Sequence, residues 1–152
     1  MELETIGAVD FGQSLRGFGV NLLVRDVSST AQFLVDVFAM KRPRVSEDFA
    51  ILEYHGQLLQ LHGDHTYHGH PLPSLLPEAG ARGAGIELRL YETDPDHAAE
   101  AAKLHQHEST LLQAPMNKPH GLREAVILCE NGYAWLPSRA LKNNEVIDPQ
   151  FS

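Results

Sequence analysis

The chain has 152 residues, 43% of them hydrophobic, with twelve Lys and Arg against twenty Asp and Glu and a formal charge of −8. That is the make-up of an ordinary single globular domain; it excludes a disordered or collagen-like chain, and the acidity argues against nucleic acid as a partner. No run reaches the ~18 apolar residues of a membrane span, Met1 to Asp10 lacks the basic start of a secretory signal, and lone Cys129 excludes an internal disulfide framework, so a cytoplasmic chain with no membrane partner is expected.

Residues 1–16 read as a terminal arm. A first module spans about 17–67 and opens with the strand Gly19–Val24. Period-two alternation puts Phe18, Val20, Leu22 and Val24 on one face and Gly19, Asn21 and Leu23 on the other. Ser29-Thr-Ala-Gln32 fits a capping box, and Phe33, Leu34, Val37 and Phe38 then mark a helix near 28–40. A less defined strand comes next. Strands Phe49–Tyr54 and Gln57–His62 follow, turning at His55-Gly56. A Pro-rich linker occupies 68–83.

The second module, 84–138, repeats this order. Gly85, Glu87 and Arg89 oppose Ile86, Leu88 and Leu90. Asp94-Pro95 reads as N-cap and first helical residue of a helix near 95–107, with Ala98, Ala99, Ala101, Ala102 and Leu104 as its stripe. A hairpin of Arg123–Leu128 and Tyr133–Leu136 turns at Glu130-Asn131-Gly132, a strong hairpin signal. Gln113–His120 reads as an inserted loop, and 139–152 as a second arm.

Gly17–Asp26 aligns with Gly83–Glu92, 66 residues later, with Gly17/Gly83, Gly19/Gly85 and Leu22/Leu88 identical. Each module thus reads as a βαβββ unit of an α+β fold, and in a two-copy mixed sheet curved into a trough, helices on its outer face, the other face would line a cavity. The apolar strand face covers the helices. The mixed face carries Asn21, Gln60, Glu87 and Arg89, polar groups converging in a concavity as a small-molecule site requires.

This arrangement resembles the vicinal oxygen chelate superfamily, which includes glyoxalase I, extradiol dioxygenases and bleomycin-resistance proteins. The resemblance rests on Gly19–Val24 with Arg25-Asp26, on Gly85–Leu90, and on the ending Gly121–Trp135. It implies that metal-using members draw His and Glu ligands from the first and last strands of each module. Those positions fall here on Gly19, Gln60, Gly85 and Leu136. Two glycines, a leucine and a neutral amide make no divalent-metal site. The resemblance then implies the metal-free branch, similar to bleomycin-resistance proteins, with no cofactor and a homodimer as a family-level expectation.

Ligand-binding residues expected on this reading are Asn21, Gln60, His62, Glu87, Arg89 and His120, the last from the inserted loop; the partner is a small organic molecule, with a cationic one mildly favoured. His62 shares strand parity with Gln60. His65, His68 and His70 follow a spacing that matches no zinc pattern, and His55, His97, His105 and His107 are expected to face solvent. Trp135 and Tyr133 are placed under a helix, opposite Leu136. The alternative function is a divalent-metal lyase, isomerase or dioxygenase with ligands displaced to His62 and Glu87. A third is a metal-free enzyme using Glu87 as general base.

Overall fold

The computed structural model describes residues 2–105 and 109–151. Its elements are α1 (Ala8–Ser14), β1 (Asn21–Val24), α2 (Val27–Phe38), β2 (Lys41–Val45), β3 (Phe49–Tyr54), β4 (Gln57–Gly63), β5 (Glu87–Tyr91), α3 (Pro95–Leu104), β6 (Ser109–Asn117), β7 (Leu122–Cys129) and β8 (Ala134–Ala140), with short 3-10 turns between and after them. The strands form two open four-stranded mixed sheets, ordered β1-β4-β3-β2 and β5-β8-β7-β6. The fold is the expected α+β pair of βαβββ modules. Among the described residues no helix is long and apolar enough to cross a membrane.

The chain divides into two compact units. One takes the chain up to Val35 together with Ala39–Leu76; the other takes Asp36–Phe38 and everything from Pro77 onward. In the first unit β1 runs parallel to β4, with Asn21 opposite Gln60 and Leu23 opposite His62. β3 and β4 form the expected hairpin, and His55 and Gly56 turn it with φ of 48° and 79°. Two successive left-handed residues are what a tight hairpin on right-twisted strands requires. Leu22, Val24, Ala50, Leu52 and Leu61 share one sheet face and are all buried, as is the α2 stripe of Val27, Ala31, Leu34 and Phe38.

Two local expectations are corrected here. Asp26, rather than Ser29, caps α2: its carboxylate accepts the Ser29 N–H at 3.0 Å, so the helix starts at Val27. Phe18 and Ile86 do not join the buried face but are exposed, at 93% and 56%. Strands β1 and β5 start at Asn21 and Glu87, so both residues sit in the approach to a strand, where alternation imposes no burial. The segment before Arg16 holds α1, whose Phe11 is buried edge-on against Phe49, with ring centroids 6.2 Å apart.

In the second unit Asp94 caps α3 and Pro95 occupies its first position as expected. Ala98, Ala99 and Ala102 are buried where α3 lies over β6, β7 and β8, whereas Leu104 at the helix end is exposed. Trp135 is buried with its ring 6.0 Å from Phe38 of α2. Gln113–Asn117 is strand rather than loop. Pro115 fits because β6 is a sheet edge, and two register shifts against β7 absorb the extra residues as bulges. Cys129 is a buried strand residue. Beyond β8, the chain is tied back by paired Arg139–Glu145 hydrogen bonds of 2.7 and 2.9 Å and by Asn117 bonds to Val146 and Asp148.

The repeat also shifts by two residues from its sequence alignment. Asp26 and Asp94 both cap helices. Asn21 stands opposite Gln60, and Arg89 opposite Leu136. Asn21 therefore corresponds to Arg89 rather than to Glu87. Glycine identities favoured the 66-residue alignment, but ladder hydrogen bonds and caps set the true register. A shift of two preserves the strand face.

Candidate functional site

The six expected site residues separate into one set in each unit. In the first, Asn21, Gln60 and His62 share the face opposite the buried apolar one. Asn21 is exposed, while Gln60 and His62 are half-buried and joined by a 3.1 Å hydrogen bond between His62 Nε2 and Gln60 Oε1. The imidazole lies between two rings, with Phe49 5.1 Å and Tyr67 5.3 Å away. Burial pushes the His62 pKa below the ordinary histidine value, favouring the neutral ring.

The other histidines of the tract are occupied separately. His65 meets the Asp48 carboxylate, His68 Nδ1 bonds the His65 carbonyl, and His70 Nδ1 accepts the Leu72 N–H. His55 and His97 are exposed. His105 departs from expectation: it is mostly buried and bonded to Asp36 at 3.0 Å. It ends α3 beside the last turn of α2, where a carboxylate is within reach. His107 lies outside the described residues.

In the second unit the register puts Glu87, Arg89, Tyr91, Leu136, Ser138 and Glu124 on one sheet face. Arg89 lies between two carboxylates: it bonds Glu124 and, at 3.1 Å, Glu87. Its guanidinium also lies over the Tyr91 ring at 5.8 Å. Burial alone would lower the Arg89 pKa, but the bonds and charge of Glu124, then of Glu87, outweigh it and raise the value. Glu124 is only 6% exposed in its side chain, so this is a largely desolvated ion pair.

His120 joins the same cluster through its turn. Lys118-Pro-His-Gly121 closes with a 3.1 Å bond from Gly121 N–H to the Lys118 carbonyl. Pro119 sits at its second position and Gly121 has φ 87°. The turn holds His120 Nε2 at 3.1 Å from Glu124 Oε2, with half of the imidazole exposed. Directly across the β7–β8 ladder from Glu124, the Ser138 hydroxyl is fully buried and has no hydrogen-bond partner among the described residues.

Glu124 and Ser138 were missed by the sequence reading. The signal was present, because a hairpin turning at Asn131-Gly132 sets Leu128 opposite Ala134 and hence Glu124 opposite Ser138. A carboxylate on that parity, immediately before the apolar run Ala125–Cys129, had to find a cationic partner.

Of the four positions expected to match metal ligands, Gln60 and Leu136 lie in strands, whereas Gly19 and Gly85 precede β1 and β5. Leu136 is buried and pairs with Arg89 across the β5–β8 ladder. The Gln60 oxygen already receives His62. Gly19 and Gly85 offer no side chain. Among the described residues no three His, Cys, Asp or Glu side chains gather as a metal-holding group.

No family model matches the chain, and no curated protein matches it in sequence. Solved structures do. A glyoxalase/bleomycin resistance protein/dioxygenase family enzyme from Burkholderia phytofirmans is 18% identical over 80% of this chain and 96% of its own, with a TM-score of 0.65. A glyoxalase-related enzyme from Fulvimarina pelagi is 14% identical over 88% of this chain and 97% of its own, with a TM-score of 0.63. The fosfomycin resistance protein FosX from Mesorhizobium loti is 12% identical over 84% of this chain and 94% of its own, with a TM-score of 0.57. The chain therefore shares the fold of these glyoxalase-related, glyoxalase/bleomycin resistance/dioxygenase and fosfomycin resistance structures.

Proposed function

We propose that the chain binds a small organic molecule without a resident metal, on the polar sheet face of the second unit. The observation that carries this reading is the largely desolvated Arg89–Glu124 ion pair on a sheet face that also presents the exposed Glu87 carboxylate. Both bonds to Glu124 fall on Oε2, so Oε1 remains as an acceptor for a ligand N–H or O–H. With Glu87 half a turn of the pleat away and a chain charge of −8, an ammonium or amidinium group is favoured over a carboxylate.

The names of its structural neighbours include a family enzyme and a fosfomycin resistance protein. The donor chemistry at the four family positions supports the metal-free reading. Two measurements test it. Dialysed, untagged protein is expected to carry well under one equivalent of Zn, Ni, Fe or Mn, with a melting temperature that chelators leave unchanged. In a thermal-shift screen of small aromatic amines and matched carboxylates, amines are expected to stabilise the wild type and to lose that effect in Glu87→Gln. A dialysis-resistant stoichiometric metal would overturn the metal-free part, and stabilisation by carboxylates alone would overturn the charge argument.

A further inference from the structure

We propose that His120 is a proton acceptor for a hydroxyl of the bound molecule, positioned by the buried Glu124 and Arg89; this rests on the reading that the same face binds a small molecule. The tautomer follows from hydrogen-bond chemistry. Glu124, as the carboxylate partner of Arg89, can only accept, so the proton of the neutral imidazole sits on Nε2, which faces Glu124 Oε2 at 3.1 Å. The lone pair is then on Nδ1, which makes no hydrogen bond among the described residues, on a half-exposed ring. An imidazole with one nitrogen held by a buried carboxylate and the other open is the arrangement that general-base chemistry needs.

Arg89 has a separate part. It donates to the same carboxylate oxygen and fixes where that oxygen lies. The tight Pro119-His120-Gly121 turn limits the reach of the ring. In the step itself, the O–H bond of the bound hydroxyl breaks and both electrons stay on oxygen. The proton passes to Nδ1, and the resulting imidazolium keeps its Nε2–H on Glu124. No oxidant or other reactant is required. Ligands with a phenolic or enolic hydroxyl suit this best, because their acidity lies nearest that of imidazolium.

The test needs no ligand, so it stands or falls apart from the binding screen. Nitrogen-15 NMR of the wild type at about pH 8, where free imidazole is neutral, is expected to show His120 protonated on Nε2. Site-resolved diethylpyrocarbonate labelling is expected to modify His120 about tenfold faster than exposed His97, since a charge-assisted bond at one nitrogen enriches the other. Glu124→Gln should erase that advantage and mix the tautomers. A proton on Nδ1, a labelling rate equal to that of His97, or an advantage that survives Glu124→Gln would overturn the proposal. The His97 comparison is made within the wild type, so it holds even if the variant folds poorly.

Discussion

The two units place different chemistry on matching strand positions. In the first, the β1–β4 rung carries Asn21 opposite Gln60, neutral amides beside a neutral imidazole framed by aromatic rings. In the second, the corresponding β5–β8 rung carries Arg89 opposite Leu136, a cation beside a buried apolar side chain. The neutral face needs only ordinary hydrogen bonds. The charged face must supply its own counter-ions, and it does so with Glu124 and Glu87. Duplicated backbone fixes where a side chain points; desolvation then decides which partners that side chain requires. The charged face is accordingly the more fragile one.

Removing Glu124 should have the largest effect. Glu124→Ala leaves Arg89 at the sheet face with only the exposed Glu87, and it frees His120. Breaking a buried pair on one side costs about 3–5 kcal/mol. With Arg89 itself 20% exposed, a loss of about 3 kcal/mol in urea unfolding is expected. Gln60→Ala, its counterpart in the neutral face, breaks one neutral bond to His62 and should cost about 1 kcal/mol. Equal losses at the two sites would abolish the contrast.

The paired hairpins provide the next contrast. Gly56 and Gly132 both have φ near 80°. A Cβ at Gly56 would meet nothing within 4 Å, whereas one at Gly132 would lie 2.4 Å from Ala81 Cα. Gly56→Ala should thus carry left-handed strain alone, about 1 kcal/mol. Gly132→Ala adds a backbone clash and should cost about 3 kcal/mol in all. The excess comes from the chain at Ala81-Arg82, where Arg82 N–H donates to the Asn131 carbonyl at 2.8 Å. Equal melting temperatures for the two variants would show that this segment yields freely.

Strands β3, β4, β7 and β8 were legible in the sequence because alternation and an Asn-Gly or His-Gly turn reinforce each other within a few residues. Helix α3 was legible through Asp94-Pro95. Strand β6 was not, since Pro115 signals loop and only an edge position with bulges reverses that reading. Helix α1 is one short turn-pair whose single buried residue, Phe11, gives no periodic pattern. At the site, Glu87, Arg89 and His120 could be named from parity and loop position. Glu124 could not be named without extending the register of the hairpin by two rungs. Offset errors of two residues are invisible to face parity, which is why the misaligned repeat still put Glu87 and Arg89 on the proper face.

The two units should also differ in how acid reaches them, and this is the finest effect. His62 in the first unit has its folded pKa pushed below the ordinary value of 6.5 by burial. The unfolded chain then binds the proton more readily. Stability is undiminished above pH 6.5 and declines as pH falls from there through the depressed folded value. In the second unit the signs are those of carboxylates. Arg139 and the Lys142 N–H hold Glu145 down to about 2 from 4.5, and Arg123 lowers Asp96. Their contribution is complete above about pH 4.5 and is lost as pH falls toward 2. Urea midpoints measured across this range should therefore fall in two stages. His62→Gln, which keeps a neutral side chain beside Gln60, should flatten only the upper stage, and Glu145→Gln only the lower. An upper stage that persists in His62→Gln would overturn its assignment to His62.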